Sequence, residues 1–493
     1  MIGWDSAEKD LLLQWSESGE LPTIQKLRDR GQWGNLSSPS GMADEAVWAT
    51  FYTGVSPAKH GRFFSKQIWP GSYDLIRFKD SHLKHEPFWE ILSRANKKVA
   101  ILDVPKCPKS SKLNGIQLVD WMVHGPEHRQ VSSWPPSLAS TIVAKFGERP
   151  KSLCGYRTRS SSELEELLAR LHKGIELKTD LYLTLLEQDN WDLFLGVFKA
   201  SHCVGHMCWH LWDSSHPAFR DDLVQKLGNP IKRIYQALDT SLNRILDRVS
   251  DDTTVILFSD LGMGPNYTGN ALLPEVLRQL EGSAVNSRKA SLGWLRQAWK
   301  QLPEVVRNPL SKKLAPASKK ISNFEESLSR FFVVPHNETS GAIRVNLKGR
   351  ETNGCIHPEK EYAQLCDSLS HCLMQLVCPQ TGKTLVKTVI RPQDLYEGPY
   401  QDNFPDLLVI WNRFQPISQA FSPQVGTIKV QDLDLRPGNH IDDGILFASG
   451  PGIPNGSHFE RASLMDLPAT ISAKLGISLP DIDGIPIPEL MKH

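Results

Sequence analysis

Short aliphatic runs punctuate the chain at Val99 to Val104, Leu193 to Phe198, Thr254 to Phe258, Leu407 to Trp411 and Ile445 to Ala448. They are continuously apolar rather than alternating, and they end in polar or glycine-rich text, the pattern of parallel strands buried on both faces. Ser162 to Gln188 and Leu223 to Val249 read as helices lying between them. Strands alternating with helices predict an α/β fold with a mostly parallel central sheet covered by helices on both faces. In such folds the functional groups gather at the carboxyl ends of the strands.

Polar chemistry does cluster there. Asp5 closes a strand stub formed by Met1-Ile2-Gly3-Trp4, KASHCVGHMCWH follows the run ending at Phe198, and FSDLGMGP follows the run ending at Phe258. His202 and His206 stand four apart, a spacing that puts both imidazoles on one helical face where they can share a metal. His210 extends that face by a turn and is expected to pack or cap. Asp260 is followed by Gly262, Met263 and Gly264, small groups that let its carboxylate face a strand-end cleft. Carboxylates gathered in one place need cations to stay ionised together, so Asp5, Asp260 and the histidine pair point to a shared metal centre. His440 precedes the last of the apolar runs.

Between Arg288 and Lys320 the chain carries nine Lys/Arg and one acid, Glu304, interleaved with Trp294, Leu295, Trp299, Leu302, Val305 and Val306. This basic amphipathic text is read as a solvated helical cap, with a contact to a membrane surface or an anionic ligand as the alternative. Strand-like text resumes at Phe331. The expected organisation is therefore a core of residues 1–264 and 346–493, with 265–345 as an inserted, basic, mostly helical cap.

Composition narrows the function classes. A formal net charge of +1 shows no bias toward nucleic acid, and 40% hydrophobic with 23% charged residues is ordinary for a globular protein. The N-terminal text lacks a basic segment followed by an apolar one, and no run approaches the roughly 20 apolar residues of a membrane span. A cytoplasmic protein is expected. The eight cysteines lack the spacing of a zinc ribbon or a disulfide framework, and are read as reduced thiols.

Taken in order, IGWDSAEKDLL, LPTIQKLRDRG, AVWATFYTGVSPAKHGRF, SHCVGHMCWH, FSDLGMGP, GAIRVNLKGRE, NHIDDGILFASGPGI and LMDLPATISAKLGISLPDIDGIP resemble the type I phosphodiesterases and nucleotide pyrophosphatases of the alkaline-phosphatase superfamily. The resemblance implies two adjacent divalent metals, usually zinc or manganese, with a Ser or Thr nucleophile between them. Carried over by motif, His202, His206 and His440 would hold one ion, and Asp5 and Asp260 the other. His60 matches an element that looks structural. His336 and Arg344 fall where the resemblance places groups near substrate, and Asn266, just beyond FSDLGMGP, is expected to reach the ligand as well.

Three positions depart from the family pattern. His202 stands where the family generally shows Asp, Leu261 stands where it shows a metal-binding His, and counting back ten residues from Gly54 to the nucleophile position reaches Asp44. Three imidazoles plus a carboxylate suit zinc or iron(II), whereas Asp5, Asp44 and Asp260 together would suit manganese or magnesium. Asp44 is read as a bridging or second-site ligand, with carboxylate nucleophile as the alternative. The function expected is hydrolysis of a small anionic phosphate ester, phosphodiester, phosphonate or sulfate ester, by metal-activated water or by Asp44. Two alternatives stand beside it: a non-hydrolytic metalloenzyme carrying out transfer, isomerisation or iron-dependent chemistry, and a non-catalytic binding protein.

Overall fold

The computed structural model describes residues 1–122, 130–148, 160–282, 327–430 and 436–491. Two compact units are present, one formed by Met1–Arg62, Asp80–Asn266 and Asp434–His493, the other by Phe63–Lys79 and Tyr267–Leu433.

The first unit is built on a sheet of nine described strands. Their spatial order is Ser457–Ser463, Gly31–Ser37, Asp443–Ser449, Val255–Ser259, Ile2–Trp4, Leu193–Phe198, Val99–Leu102, Gly115–Val119 and Ser132–Trp134. Every neighbouring pair is parallel except those made by Asp443–Ser449 and Ser132–Trp134. The sheet is thus mostly parallel, as expected.

Continuous apolar text is explained by burial on both faces. In LFLGVF, Leu193, Leu195 and Val197 enter one apolar cluster with Trp48, Phe51 and Phe258, while Phe198 enters another with Trp4, Tyr182 and Tyr235. Gly196 has no side chain because a Cβ there would meet the Tyr182 ring at 2.5 Å. Helices Ser161–Leu186 and Pro230–Leu246 contribute to the second cluster and Asp44–Thr53 to the first.

Several expectations are corrected. Leu223 to Val249 forms two helices, Asp221–Leu227 and Pro230–Leu246, because Gly228 turns at φ 70° and Pro230 opens a new helix that Asn229 caps through Lys232 N–H. Asp443–Ser449 lies in the central sheet yet runs antiparallel to both neighbours. Leu407–Trp411 is a strand, but it belongs to the second unit.

That second unit carries an antiparallel sheet in the order Phe331–Val333, Ser340–Val345, Leu407–Trp411, Val386–Ile390. Helices Leu273–Glu281 and Lys360–Met374 cover it through Leu273, Val276, Leu369 and Leu373, packed with Ile343, Val345, Leu407 and Val409. The chain does not return to the core at residue 346, because the segment after Val345 completes this antiparallel sheet; core strands resume with Gly438–Ile441 and Asp443–Ser449. Most of the basic insertion, 283–326, lies outside the described residues. Among the described residues no helix is long and apolar enough to cross a membrane.

Candidate metal centre

Strand register sets the foundation of the site. Gly3 pairs with Phe258 and Trp4 with Phe198, so Asp5, Asp260 and Lys199 follow the ends of three adjacent strands. Directly after Lys199 the chain enters helix Ala200–Trp212, whose buried side chains include His202 and His206 one turn apart. A two-stranded antiparallel ribbon, Gly262–Pro265 against Gly438–Ile441, sets His440 opposite Met263.

Two glycines let this ribbon lie on the helix. A Cβ on Gly438 would stand 2.1 Å from the Gly205 carbonyl oxygen and 2.9 Å from Trp209 Cβ, and one on Gly205 would stand 2.7 Å from Met263 Cγ. With both side chains missing, the Gly438 carbonyl accepts a hydrogen bond from His206 Nδ1 at 2.8 Å. Gly438→Ala is accordingly expected to cost about 1–3 kcal/mol of stability through overpacking. Denaturant unfolding measures it, and a loss below about 0.5 kcal/mol, the range of ordinary surface changes, would show the contact to be slack.

Three imidazoles converge as a result. Ring centroids of His202, His206 and His440 lie 4.5, 4.9 and 4.7 Å apart, and one ligand atom from each falls within 4.8 Å of the others. Among the described residues this is the group of three or more metal-ligating side chains drawn so close. Burial holds the His206 imidazolium well below its ordinary range, and burial likewise brings His440 down to about 4 despite the nearby Asp44 charge. Both rings are therefore neutral at pH 7, the form that coordinates metals.

The neighbouring groups supply orientation. Asp5 Oδ1 lies 3.2 Å from His202 Nδ1 and accepts the Ser6 hydroxyl at 2.9 Å. His202 held at Nδ1 by a carboxylate and His206 held at Nδ1 by a carbonyl show the arrangement that fixes tautomers around metals and leaves Nε2 for the ion. His206 Nε2 and Asp260 Oδ2 are buried without hydrogen-bond partners. Buried polar atoms are ordinarily satisfied, and a divalent cation is the partner that His206 Nε2, with the two imidazoles beside it, fits.

The carboxylates are handled separately. Asp260 Oδ1 accepts Ser6 N–H at 2.9 Å, and burial together with the Asp5 charge pushes its carboxyl well above the usual range. Lys199 Nζ stands 3.4 Å from Asp5 Oδ2. Asp44 opens helix Asp44–Thr53, and its Oδ2 meets Lys106 Nζ at 2.5 Å. Burial alone would raise Asp44, but Lys106, Glu45, His440 and Lys199 outweigh it and hold the carboxyl well below its usual range. Glu45 instead goes up to about 7, through burial and the Asp44 charge. Leu261 is buried in the apolar cluster with Val47 and Trp48.

The remaining candidates lie outside the trio of imidazoles. His60 takes the Arg62 N–H at Nδ1 and pairs with Thr50 at Nε2. His210 is buried, 6.2 Å from the His216 ring. Asn266 donates to the Arg436 carbonyl and accepts from Asn439. Arg344, in the second unit, is bonded to Glu351 and the Phe404 carbonyl, while His336 lies 6.3 Å from the Phe63 ring. Lys199, Lys106, Ser6 and Gly438 went unnoticed in the sequence. Lys199 carried a signal, since it directly follows a buried strand; Lys106 carried none.

Comparison with known proteins agrees with the fold. The family model for type I phosphodiesterase / nucleotide pyrophosphatase matches residues 1–413. Phosphonoacetate hydrolase from Sinorhizobium meliloti 1021, solved with phosphonoacetate, is similar with a TM-score of 0.52 and 11% identity, over 92% of this chain and 91% of that one. Human ectonucleotide pyrophosphatase / phosphodiesterase 5 is similar with a TM-score of 0.50 and 13% identity, over 98% and 96% of the two chains. No curated protein sequence matches significantly. At these identities the solved structures speak for an alkaline-phosphatase-like fold alone, and the family match covers most of the chain. The chain therefore belongs to the type I phosphodiesterase / nucleotide pyrophosphatase family.

Proposed function

We propose that this protein is a metal-dependent hydrolase of phosphate esters or phosphodiesters, or of the related phosphonate or sulfate esters, centred on His202, His206 and His440. The observation that carries the reading is the convergence of two buried imidazoles and a half-buried third, their ligand atoms within 4.8 Å of one another. Membership of a phosphodiesterase family and the fold shared with a phosphonoacetate hydrolase support it.

A divalent ion at the three imidazoles supplies Lewis-acid polarisation of a phosphoryl oxygen and lowers the pKa of water to about 7. Zinc is the ion this nitrogen-rich set suits best, with iron or manganese next. The chain's own residues do the rest. Asp5 and the Gly438 carbonyl hold His202 and His206 in register. Lys106 and Lys199 bring positive charge to the same strand ends, which favours an anionic small-molecule substrate. Asp44 is gripped by Lys106, and a carboxylate so paired is a weak base and a weak nucleophile. Water is accordingly the attacking group, and Asp44 acts as a fixed negative charge near His440. A cytoplasmic setting accords with the absence of a disulfide among the described cysteines.

The test uses the full chain, purified without added ions and then supplied with zinc or manganese. At least one of 4-nitrophenyl phosphate, bis(4-nitrophenyl) phosphate, 4-nitrophenyl phenylphosphonate and 4-nitrophenyl sulfate should turn over, with activity lost to a chelator and restored by the ion. No turnover of any of the four at full metal occupancy refutes the reading.

A further inference from the structure

We infer that this protein binds one divalent cation per chain, and that the Lys199 ammonium on Asp5, together with Lys106 on Asp44, takes the place of a second. This rests on the reading of the three histidines as a metal site. The family resemblance implies two ions, the second drawing on Asp5, Asp44 and Asp260. The residues present do not fit that ion.

Charge is the first reason. Carboxylates held in the interior need a cation or hydrogen bonds, and here Asp5 and Asp44 each already face an ammonium group. Lys199 Nζ faces Asp5 Oδ2 at 3.4 Å, with the lysine side chain only 5% exposed. Lys106 Nζ lies 2.5 Å from Asp44 Oδ2 and 3.2 Å from Glu45 Oε1. Asp260 Oδ1 takes the Ser6 N–H, which leaves Oδ2 as the one atom of this carboxyl without a partner. A doubly charged ion placed among these carboxylates would face two ammonium groups at short range in a setting that screens them poorly.

Geometry is the second. Among the described residues, the three histidines form the close group of potential ligands, and no trio of carboxylates does so. Where the resemblance calls for an imidazole, Leu261 is packed into the apolar cluster with Trp48 and Leu446. Lys199, by contrast, is tied to its place by the backbone. It follows directly on strand Leu193–Phe198, whose last carbonyl accepts the Asp5 N–H at 2.9 Å, and it precedes the helix that carries His202 and His206. The ammonium is thus part of the same strand-end frame as Asp5.

The experiment is equilibrium dialysis of the full chain against excess zinc, and separately manganese, with bound metal counted by elemental analysis. Wild type should retain one ion per chain and Lys199→Arg also one, whereas Lys199→Met, which frees Asp5, should rise to two. Two ions on the wild type overturn the inference while leaving the metal-dependent reading intact, and so does a Lys199→Met chain that folds and stays at one. Should Lys199→Met not fold, anomalous scattering from zinc-loaded wild-type crystals decides: a single peak among the three imidazoles supports the inference, and a peak between Asp5 and Asp260 overturns it. Zero ions on the wild type defeats the metal reading and this inference together. One ion without hydrolysis defeats only the hydrolase reading.

Discussion

His206→Ala should abolish both metal binding and hydrolysis. His206 contributes a buried imidazole whose Nδ1 is held by the Gly438 carbonyl and whose Nε2 has no hydrogen-bond partner. Losing the ion removes its stabilisation of transition-state charge, several kcal/mol, and about 4 kcal/mol corresponds to roughly 10³-fold in rate. Thermal unfolding gives a readout independent of turnover. Wild type should gain about 2.7 kcal/mol of stability at a zinc concentration a hundredfold above Kd, and the variant close to none. A variant that keeps its zinc-dependent stabilisation would show that the ion sits elsewhere.

Acid should act on the same group. Burial lowers both His206 and His440, the latter to about 4, while an unfolded histidine titrates near 6.5. Between those values the unfolded chain binds the proton and the folded one does not, so stability of the ion-free protein falls as pH drops from about 6.5 toward 4. Bound zinc should deepen that dependence, because protons and metal compete for the same nitrogens.

The second large effect lies in the second unit. Asp406→Ala is expected to destabilise by about 3–5 kcal/mol, the usual penalty for stripping one partner from a buried ion pair. Its carboxylate takes Arg350 Nη1 and Nη2 at 2.8 and 2.7 Å, Tyr362 hydroxyl at 2.7 Å and Val345 N–H at 2.6 Å. Without it Arg350 keeps the Val345 carbonyl and Glu351, which already holds Arg344. Burial alone would raise Asp406, yet the two arginines hold it below its usual range. Its stabilising contribution is therefore present above the unfolded value near 3.9 and lost as pH falls through the lower folded value. Denaturant unfolding of the variant checks the magnitude, and a change below about 1 kcal/mol would mean that the arginines find other partners.

How far the site could be read ahead of the structure differs residue by residue. His202 and His206 were legible because spacing along one helix is a local property, and Asp5 and Asp260 because strand ends announce themselves where apolar text stops. His440 could be assigned to the metal only by resemblance, since what brings it to the pair is the contact of Gly438 on Gly205, far apart in sequence. Leu261 was identified as unable to bind metal, but its burial beside Trp48 emerged from packing.

Local text thus determined the α/β class, the buried strands, the helical face bearing two imidazoles and the acids at strand ends. Those features follow from the period of hydrophobic residues, which each segment carries within itself. Tertiary structure alone decided that Leu407–Trp411 joins an antiparallel sheet in a second unit, that three imidazoles meet, and that Lys199 and Lys106 answer Asp5 and Asp44. Pairing partners and charge neutralisation depend on groups brought together from distant parts of the chain. A strand looks the same in sequence whichever edge it joins, and a lysine whichever carboxylate it meets.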